Sequence, residues 1–558
     1  MPDPAQALRE ALDLHRSGRL TAAEDLYLQI LRAQPDNPYG LHYLGILRSQ
    51  QGRPGEALAA FTRALAVKPD YLEALGSRAR LLREVRRPAE ALADFDRALA
   101  IEPRQAQLLN LRGLALIELG RHDEALASFE RALTVRPDYV VALNNRGNVL
   151  QDLRRPAEAL ASYEAALAVQ GDHTGALYNR GTALRNLRRP LEALASYDRA
   201  LALKPDHVDA LNNRGLVLTD LRRPQEAIAS YEAALAIRPD LAEAHANRGC
   251  LRLLIGDFER GWSDHEWRWR TPDLAPWRRD FAQPLWLGEA PLAGKTILLH
   301  AEQGLGDAIQ FVRYVPRVVE SAGRVVLEAP PALAGLFSRL AASVSIVSRG
   351  AALPAFDCHC PLLSLPLAFK TRLDTIPATT PYLSAAAERV SKWRERLPPS
   401  PARRVGIAWA GNPHFKNDRA RSIGLTRLAP LLVAPGVEFL SLQKDLRPGD
   451  REALGAYPQL RHLGDAIEDF DDTAAIISLV DLVISSDTSV VHLAGALGKP
   501  VWILLHHAAD WRWLLDRSDS PWYPTARLFR QPRPDDWEDV VGQVKAELMG
   551  SYTSYSYR

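Results

Sequence analysis

The chain has 558 residues, of which 47% are hydrophobic and 24% are charged, as in soluble globular proteins. Its 69 basic and 67 acidic residues leave a net charge of +2, which argues against a nucleic-acid-binding surface. The N-terminal sequence does not resemble a signal peptide, and no apolar run approaches the roughly 18 residues of a membrane span. We therefore expect a cytoplasmic protein of several domains, without an integral membrane segment.

Prolines in the first half recur at a spacing of 34 residues or twice that. They are Pro35, Pro69, Pro103, Pro137, Pro205 and Pro239. This period is typical of the tetratricopeptide repeat, a helix–turn–helix unit. Glycine, alanine and aromatic residues recur with it, as expected where two helices pack closely. We predict an α superhelix of about seven repeats, which we assign to residues 1–255, with a divergent unit that caps the stack.

Tetratricopeptide arrays bind extended peptides or partner proteins on their concave face, so the resemblance implies a protein or peptide partner. The inner helices carry asparagines at one register, namely Asn145, Asn179, Asn213 and Asn247. Because an amide offers both donors and an acceptor, such a ladder can bind a peptide backbone of any sequence. The repeat arm of eukaryotic protein O-GlcNAc transferase carries a comparable ladder. Alternatively, these asparagines hydrogen-bond adjacent repeats to one another.

Residues 256–292 are rich in tryptophan. Five of the twelve tryptophans crowd here, namely Trp262, Trp267, Trp269, Trp277 and Trp286. Tryptophan buries a large area and carries a polar handle, which suits a joint between domains. We therefore predict a packed connector that caps the array, with a sugar-stacking platform as the alternative.

Short apolar runs alternate with helical segments through the rest of the chain. This alternation predicts parallel sheets flanked by helices. A stretch rich in arginine and proline, Pro381–Pro401, suggests a hinge between two Rossmann-like domains, residues 293–390 and 391–548. We expect residues 549–558 to form a polar, disordered tail.

The stretch Ser485–Pro500, SSDTSVVHLAGALGKP, lies between two apolar runs. We interpret it as a strand end, a polar turn at Asp487, Thr488 and Ser489, and a helix that carries His492 one turn in. A helix N-terminus at such a turn leaves backbone N–H groups free and favours phosphates. An ordinary strand–helix junction with a capping aspartate is the alternative.

This stretch resembles the donor-binding motif of glycosyltransferase family 9, the lipopolysaccharide heptosyltransferases. Asp487, Thr488, Ser489 and His492 match the motif, although many members have glycine where Ser489 stands. The turn with Gly304, Gly306 and Asp307 resembles the family's first loop, in which the aspartate is the proposed general base. An ordinary helix cap is the alternative for Asp307.

The resemblance covers roughly residues 293–548 and implies a GT-B fold, in which two Rossmann-like domains face each other. It also implies donor contacts from the second domain. Arg421 matches the family's diphosphate-binding basic residue best and Lys416 is the runner-up, while Gln443 and Lys444 end a strand at the nucleotide-binding edge.

The implied function is inverting transfer of a sugar from a nucleotide-diphosphate sugar, which is a substrate rather than a cofactor. Asp307 would act as the catalytic base. We predict no metal, because no Asp-x-Asp pair ends a strand where it could hold a metal–diphosphate complex. The array would present a protein or peptide acceptor or bind a partner. Two alternatives remain: a lipid-linked or polysaccharide acceptor with the array as a scaffold, and a non-catalytic repeat-based adaptor.

Overall fold

The computed structural model describes residues 4–413 and 418–555. Its first part consists of helix pairs, and all but the last helix have 13 or 14 residues. The helices are α1 (Pro4–Arg16), α2 (Leu20–Ala33), α3 (Pro38–Gln50), α4 (Pro54–Val67), α5 (Leu72–Glu84), α6 (Pro88–Ile101), α7 (Ala106–Glu118), α8 (His122–Val135), α9 (Val140–Asp152), α10 (Pro156–Val169), α11 (Thr174–Asn186), α12 (Pro190–Leu203), α13 (Val208–Asp220), α14 (Pro224–Ile237), α15 (Ala242–Leu254) and α16 (Phe258–His265).

The two helices of each repeat meet at the recurring glycine. A Cβ atom built on Gly147 would lie 2.4 Å from Cε1 of Tyr163, and one built on Gly113 would lie 2.6 Å from Cε1 of Phe129. Real Cβ contacts are not this short, so only glycine lets the aromatic ring of the second helix pack here. Proline starts several of the second helices, where its missing N–H costs nothing. The predicted helical superhelix is confirmed.

The chain divides into two compact units, one up to Val217 and one from Leu218 onward. The division lies inside α13, whereas the sequence suggested a boundary after residue 255. The last repeat helices belong to the second unit because α15 packs on the tryptophan-rich connector. Gly249 lies against the backbone of His265, and Arg248 forms an ion pair with Asp264 at 2.8 Å.

The rest of the second unit contains two parallel sheets with helices between their strands, as the alternation predicted. The strands are β1 (Thr296–His300), β2 (Arg324–Ala329), β3 (Val344–Ser348), β4 (Cys358–Pro361), β5 (Arg403–Ala408), β6 (Val437–Ser441), β7 (Leu460–His462), β8 (Leu482–Ser486), β9 (Val501–Leu505) and β10 (Ala526–Arg530). The orders are β3-β2-β1-β4 in the first sheet and β10-β9-β8-β5-β6-β7 in the second. All strand pairings are parallel.

The helices of this part are mostly short. They are α17 (Leu305–Phe311), α18 (Val315–Ser321), α19 (Pro331–Phe337), α20 (Leu365–Ala368), α21 (Ala387–Arg396), α22 (Asp418–Arg421), α23 (Leu425–Leu428), α24 (Asp450–Ala456), α25 (Phe470–Ser478), α26 (Ser489–Ala496) and α27 (Trp537–Tyr555). The expected disordered tail is wrong for residues 549–555, because α27 continues to Tyr555. Trp537, Val540, Val544 and Leu548 anchor this helix in the core of the second sheet.

Candidate functional site

The candidate donor turn lies where the strand order of the second sheet reverses. β8 and β5 are neighbours at this point, and open parallel sheets bind ligands at the carboxyl ends of such strands. The turn after β8 carries Asp487 and Thr488, and α26 begins at Ser489. Within the described residues, the buried hydroxyl of Ser486 has no hydrogen-bond partner. The turn therefore lies at the position in the fold where a ligand is expected.

Asp487 is a mostly buried carboxylate in this turn. Burial raises its pKa to about 6, and the charge of Asp510 acts in the same direction. The charges of Arg512 and Arg421 oppose the shift. Arg421 also donates from Nη1 to the backbone carbonyl of Asp487 at 3.2 Å. Arg421 thus lies at the turn.

His492 is fixed in place beside the same turn. Its Nδ1 lies 2.9 Å from the hydroxyl of Tyr523, and its ring stacks on Trp513 with a centroid distance of 5.5 Å. Its Nε2 lies 3.9 Å from Oδ1 of Asp487. Burial lowers the pKa of His492 well below its usual value, so the imidazole is neutral near pH 7. It can offer a hydrogen bond here, but not a positive charge.

Asp307 is the third residue of the first helix after β1, which begins at Leu305. Its Oδ2 accepts a hydrogen bond from the backbone N–H of the N-cap residue Gly304 at 2.9 Å, so Asp307 caps this helix from inside its first turn and is not the N-cap itself. Its Oδ1 also forms an ion pair with Nη2 of Arg512. Burial raises the pKa of Asp307, and the charge of Arg512 opposes this shift. Capping and a site role are therefore compatible for this residue.

Gly306 brings the two halves of the site together. A Cβ atom at this position would lie 2.8 Å from Cδ2 of His492 and 3.5 Å from Cα of Ser489. Only glycine permits this approach of α17 to α26. Asp307, from the first sheet, consequently lies beside the turn of the second sheet.

Arg512 is the residue of this site that the sequence analysis missed. It follows β9 in a short 3-10 helix, Trp511–Trp513, and is 7% exposed. Its Nε donates to Oε1 of Gln310 at 2.8 Å and its Nη1 to Oδ1 of Asp510 at 2.7 Å, while Nη2 pairs with Asp307. A run of charged and aromatic residues in the loop after the buried strand β9, Asp510–Trp513, was the available signal.

Two other predicted donor residues bond backbone groups. Among the residues that the structure describes, the amide of Gln443 bonds only backbone groups, at Trp409, Ala410 and Asp445, and so it fixes the loop after β5. Lys444 donates to the backbone carbonyl of Glu468. Lys416 lies outside the described residues.

The connector reaches the corresponding point of the first sheet, between β1 and β4. Arg268 is 3% exposed and donates to Oγ of Ser364 at 2.9 Å and to Oε1 of Glu302 at 3.3 Å. Glu302 also accepts from the backbone N–H of Leu363 at 3.1 Å. Burial raises the pKa of Glu302 to about 7. Because Glu302 belongs to the loop between β1 and the helix that carries Asp307, the connector holds this loop.

The asparagines of the repeat array hydrogen-bond one another across repeats. Nδ2 of Asn145 donates to Asn110 at 3.0 Å, and Nδ2 of Asn179 donates to Asn144 at 3.0 Å. Nδ2 of Asn213 donates to the hydroxyl of Tyr178 at 3.1 Å. These bonds agree with the alternative in which the ladder joins repeats. Asn247 is half-buried in the second unit.

Comparisons with known proteins identify the repeats. A tetratricopeptide-repeat family model matches residues 42–100, 144–206 and 178–242, and a second one matches residues 104–172. Protein FlbA of Caulobacter vibrioides is 30% identical over 329 residues, which are 53% of this chain and 53% of FlbA. The chain thus spans about half the length of this relative. It contains tetratricopeptide repeats of the protein-interaction type.

Two solved structures are similar to part of the chain. One is a tetratricopeptide repeat protein from Parabacteroides merdae, with 20% identity and a TM-score of 0.37 over 44% of this chain and 97% of that one. The other is YrrB, described as a tetratricopeptide repeat protein with an unusual peptide-binding site. It has 27% identity and a TM-score of 0.30 over 34% of this chain and 96% of its own.

No helix within residues 4–413 and 418–555 is both long enough and apolar enough to span a bilayer. The same residues contain no group of three or more His, Cys, Asp or Glu side chains that could hold a metal ion.

Proposed function

We propose that the second unit is an inverting glycosyltransferase of the GT-B type that uses a nucleotide-diphosphate sugar. The observation that carries this proposal is that Asp307 lies beside the Asp487–His492 turn. Each lies at the carboxyl end of a parallel strand, on a different sheet, and Gly306 lies against His492. A cleft between two such sheets suits a donor on one side and an acceptor on the other.

In this mechanism, Asp307 accepts the proton of the acceptor nucleophile while that atom attacks the anomeric carbon. The bond from the anomeric carbon to the diphosphate oxygen breaks, and the configuration inverts. Arg421 and the backbone N–H groups at the start of α26 stabilise the negative charge of the leaving nucleoside diphosphate. The raised pKa of Asp307, caused by its burial, supports its role as a base.

The repeat array would bind a protein or peptide acceptor. The family-model matches support protein binding by the repeats. Within the second unit, Arg268 of the connector contacts Glu302, on the loop between β1 and the helix that carries Asp307. Since the asparagine amides already bond between repeats, a bound backbone would use their remaining capacity as donors and acceptors.

Isothermal titration of the full chain with ADP, CDP, GDP and UDP tests the donor site. We expect one of them to bind, and Arg421→Ala to weaken this binding at least tenfold because the variant removes a charge from the turn. Arg517→Ala is the matched control, since it also removes an arginine charge, and Arg517 pairs with Asp519 on the loop after β9, outside the turn. Equal affinity in Arg421→Ala and the parent would place the diphosphate elsewhere.

A further inference from the structure

We infer that Arg512 is a second arginine ligand of the donor diphosphate and that Asp307 and the diphosphate share its guanidinium. This inference rests on the proposed function and adds a residue to the same site. It makes the occupancy of the donor site and the state of Asp307 depend on each other.

The hydrogen-bond geometry of Arg512 leaves capacity for a ligand. A guanidinium has five N–H groups. Among the described residues, one N–H from each nitrogen is used, toward Gln310, Asp510 and Asp307. One N–H therefore remains on each of the two terminal nitrogens. Two N–H groups of one guanidinium can donate hydrogen bonds to two phosphate oxygens.

The surroundings of Arg512 also point to an anion. Arg512 pairs with Asp307, and its charge also acts to lower the pKa of Asp487 in the proposed phosphate-binding turn. Gln310 is fully buried beside it, and the amide Nε2 of Gln310 has no hydrogen-bond partner within the described residues. A buried donor without a partner is costly unless an acceptor arrives, and a phosphate oxygen is a strong acceptor.

The charges predict competition at this guanidinium. Asp307 and Asp510 both pair with Arg512, and Asp487 lies close to it. A bound diphosphate would place further negative charge beside the same guanidinium and would therefore repel the carboxylate of Asp307. Neutralising Asp307 should tighten diphosphate binding, by about three- to tenfold for a unit charge a few ångströms away in a partly buried site. This effect should require Arg512.

A double-mutant cycle on the full chain tests this inference. The probe is whichever of ADP, CDP, GDP and UDP the parent binds most tightly, titrated into the parent, Asp307→Asn, Arg512→Lys and the double variant. We expect Asp307→Asn to bind three- to tenfold more tightly and Arg512→Lys at least tenfold more weakly. In the Arg512→Lys background, Asp307→Asn should change the Kd less than twofold. Arg517→Lys should bind like the parent.

The outcomes separate this inference from the proposed function. If the parent binds none of the four nucleotides, the proposed function fails, and this inference fails with it. If the parent binds one, but Asp307→Asn does not tighten binding or tightens it equally in the Arg512→Lys background, only the sharing of Arg512 is overturned. Should Arg512→Lys fail to fold, Asp510→Asn replaces it. It removes another carboxylate from the guanidinium and should also tighten binding, and unchanged affinity in both aspartate variants overturns the inference.

Discussion

Replacing Gly306 with alanine should force apart the helices that carry Asp307 and His492. The new Cβ atom would lie 2.8 Å from Cδ2 of His492, where ordinary contacts exceed 3.4 Å. His492 cannot easily yield, because its ring is stacked on Trp513 and bound to the hydroxyl of Tyr523. Overpacking of this kind costs about 1–3 kcal/mol. We expect the second unit to lose about this much stability and nucleoside diphosphate binding to weaken with it.

Tryptophan fluorescence provides a selective assay for this prediction. All twelve tryptophans lie after residue 261, so their emission reports the unfolding of the second unit and not of the first repeats. Gly542→Ala is the control. Its Cβ atom would meet nothing within 4 Å in α27, and the change should add about 0.5–1 kcal/mol of stability. If Gly306→Ala melts and binds nucleotide like the parent, the close approach of α17 to α26 has no role in the site.

Three further predictions concern charge and hydrogen bonding. Since burial raises the pKa of Asp487 to about 6, ionisation of this residue destabilises the fold as the pH rises from about 4 to 6. Above pH 6, Asp487→Asn should therefore be more stable than the parent, by at most about 3 kcal/mol in the free energy of unfolding. A melting series from pH 4 to 8 in which the variant shows no such gain would refute this. Arg268→Met leaves Glu302 buried without its cation. This variant should lower the free energy of unfolding, measured by urea denaturation, by about 3–5 kcal/mol at pH 8 and by less at pH 5, where Glu302 is protonated. An equal loss at both pH values would contradict the pairing of Arg268 with Glu302. Asn179→Ala removes two side-chain hydrogen bonds between repeats, each worth about 1 kcal/mol, and should lower the melting temperature of the array as followed by far-UV circular dichroism. An unchanged melting temperature with weaker acceptor binding would favour a peptide-binding role.

The elements with a strong period were predictable from the sequence. The 34-residue spacing gave the repeat helices because each unit buries the same glycine and aromatic positions. The alternation of apolar runs gave two parallel sheets for a similar reason, since buried parallel strands are short and apolar throughout. The tail was misjudged because its polar residues extend a helix that Trp537 and Leu548 anchor further back.

The site was only partly predictable because its members come from distant parts of the chain. Asp307 and Asp487 could be singled out, since each follows an apolar strand. For Arg512 the charged and aromatic run around it was a weak signal, because its role depends on where the chain after β9 returns to α17. Gln443 follows a strand, as a ligand contact would, but within the described part of the chain its amide bonds only backbone groups, at Trp409, Ala410 and Asp445. Such pairings depend on tertiary packing, and the patterns that predict strands and helices do not predict which distant residues pack together.

The most direct test of the account is turnover of a nucleotide-diphosphate sugar by the full chain. The donor is one whose nucleoside diphosphate binds in calorimetry, and proton NMR follows the anomeric signal of the released or transferred sugar. We predict cleavage with inversion of the anomeric configuration, lost in Asp307→Asn while that variant still binds the nucleoside diphosphate. Turnover of Asp307→Asn at the rate of the parent, or retention of configuration, would contradict the proposed mechanism.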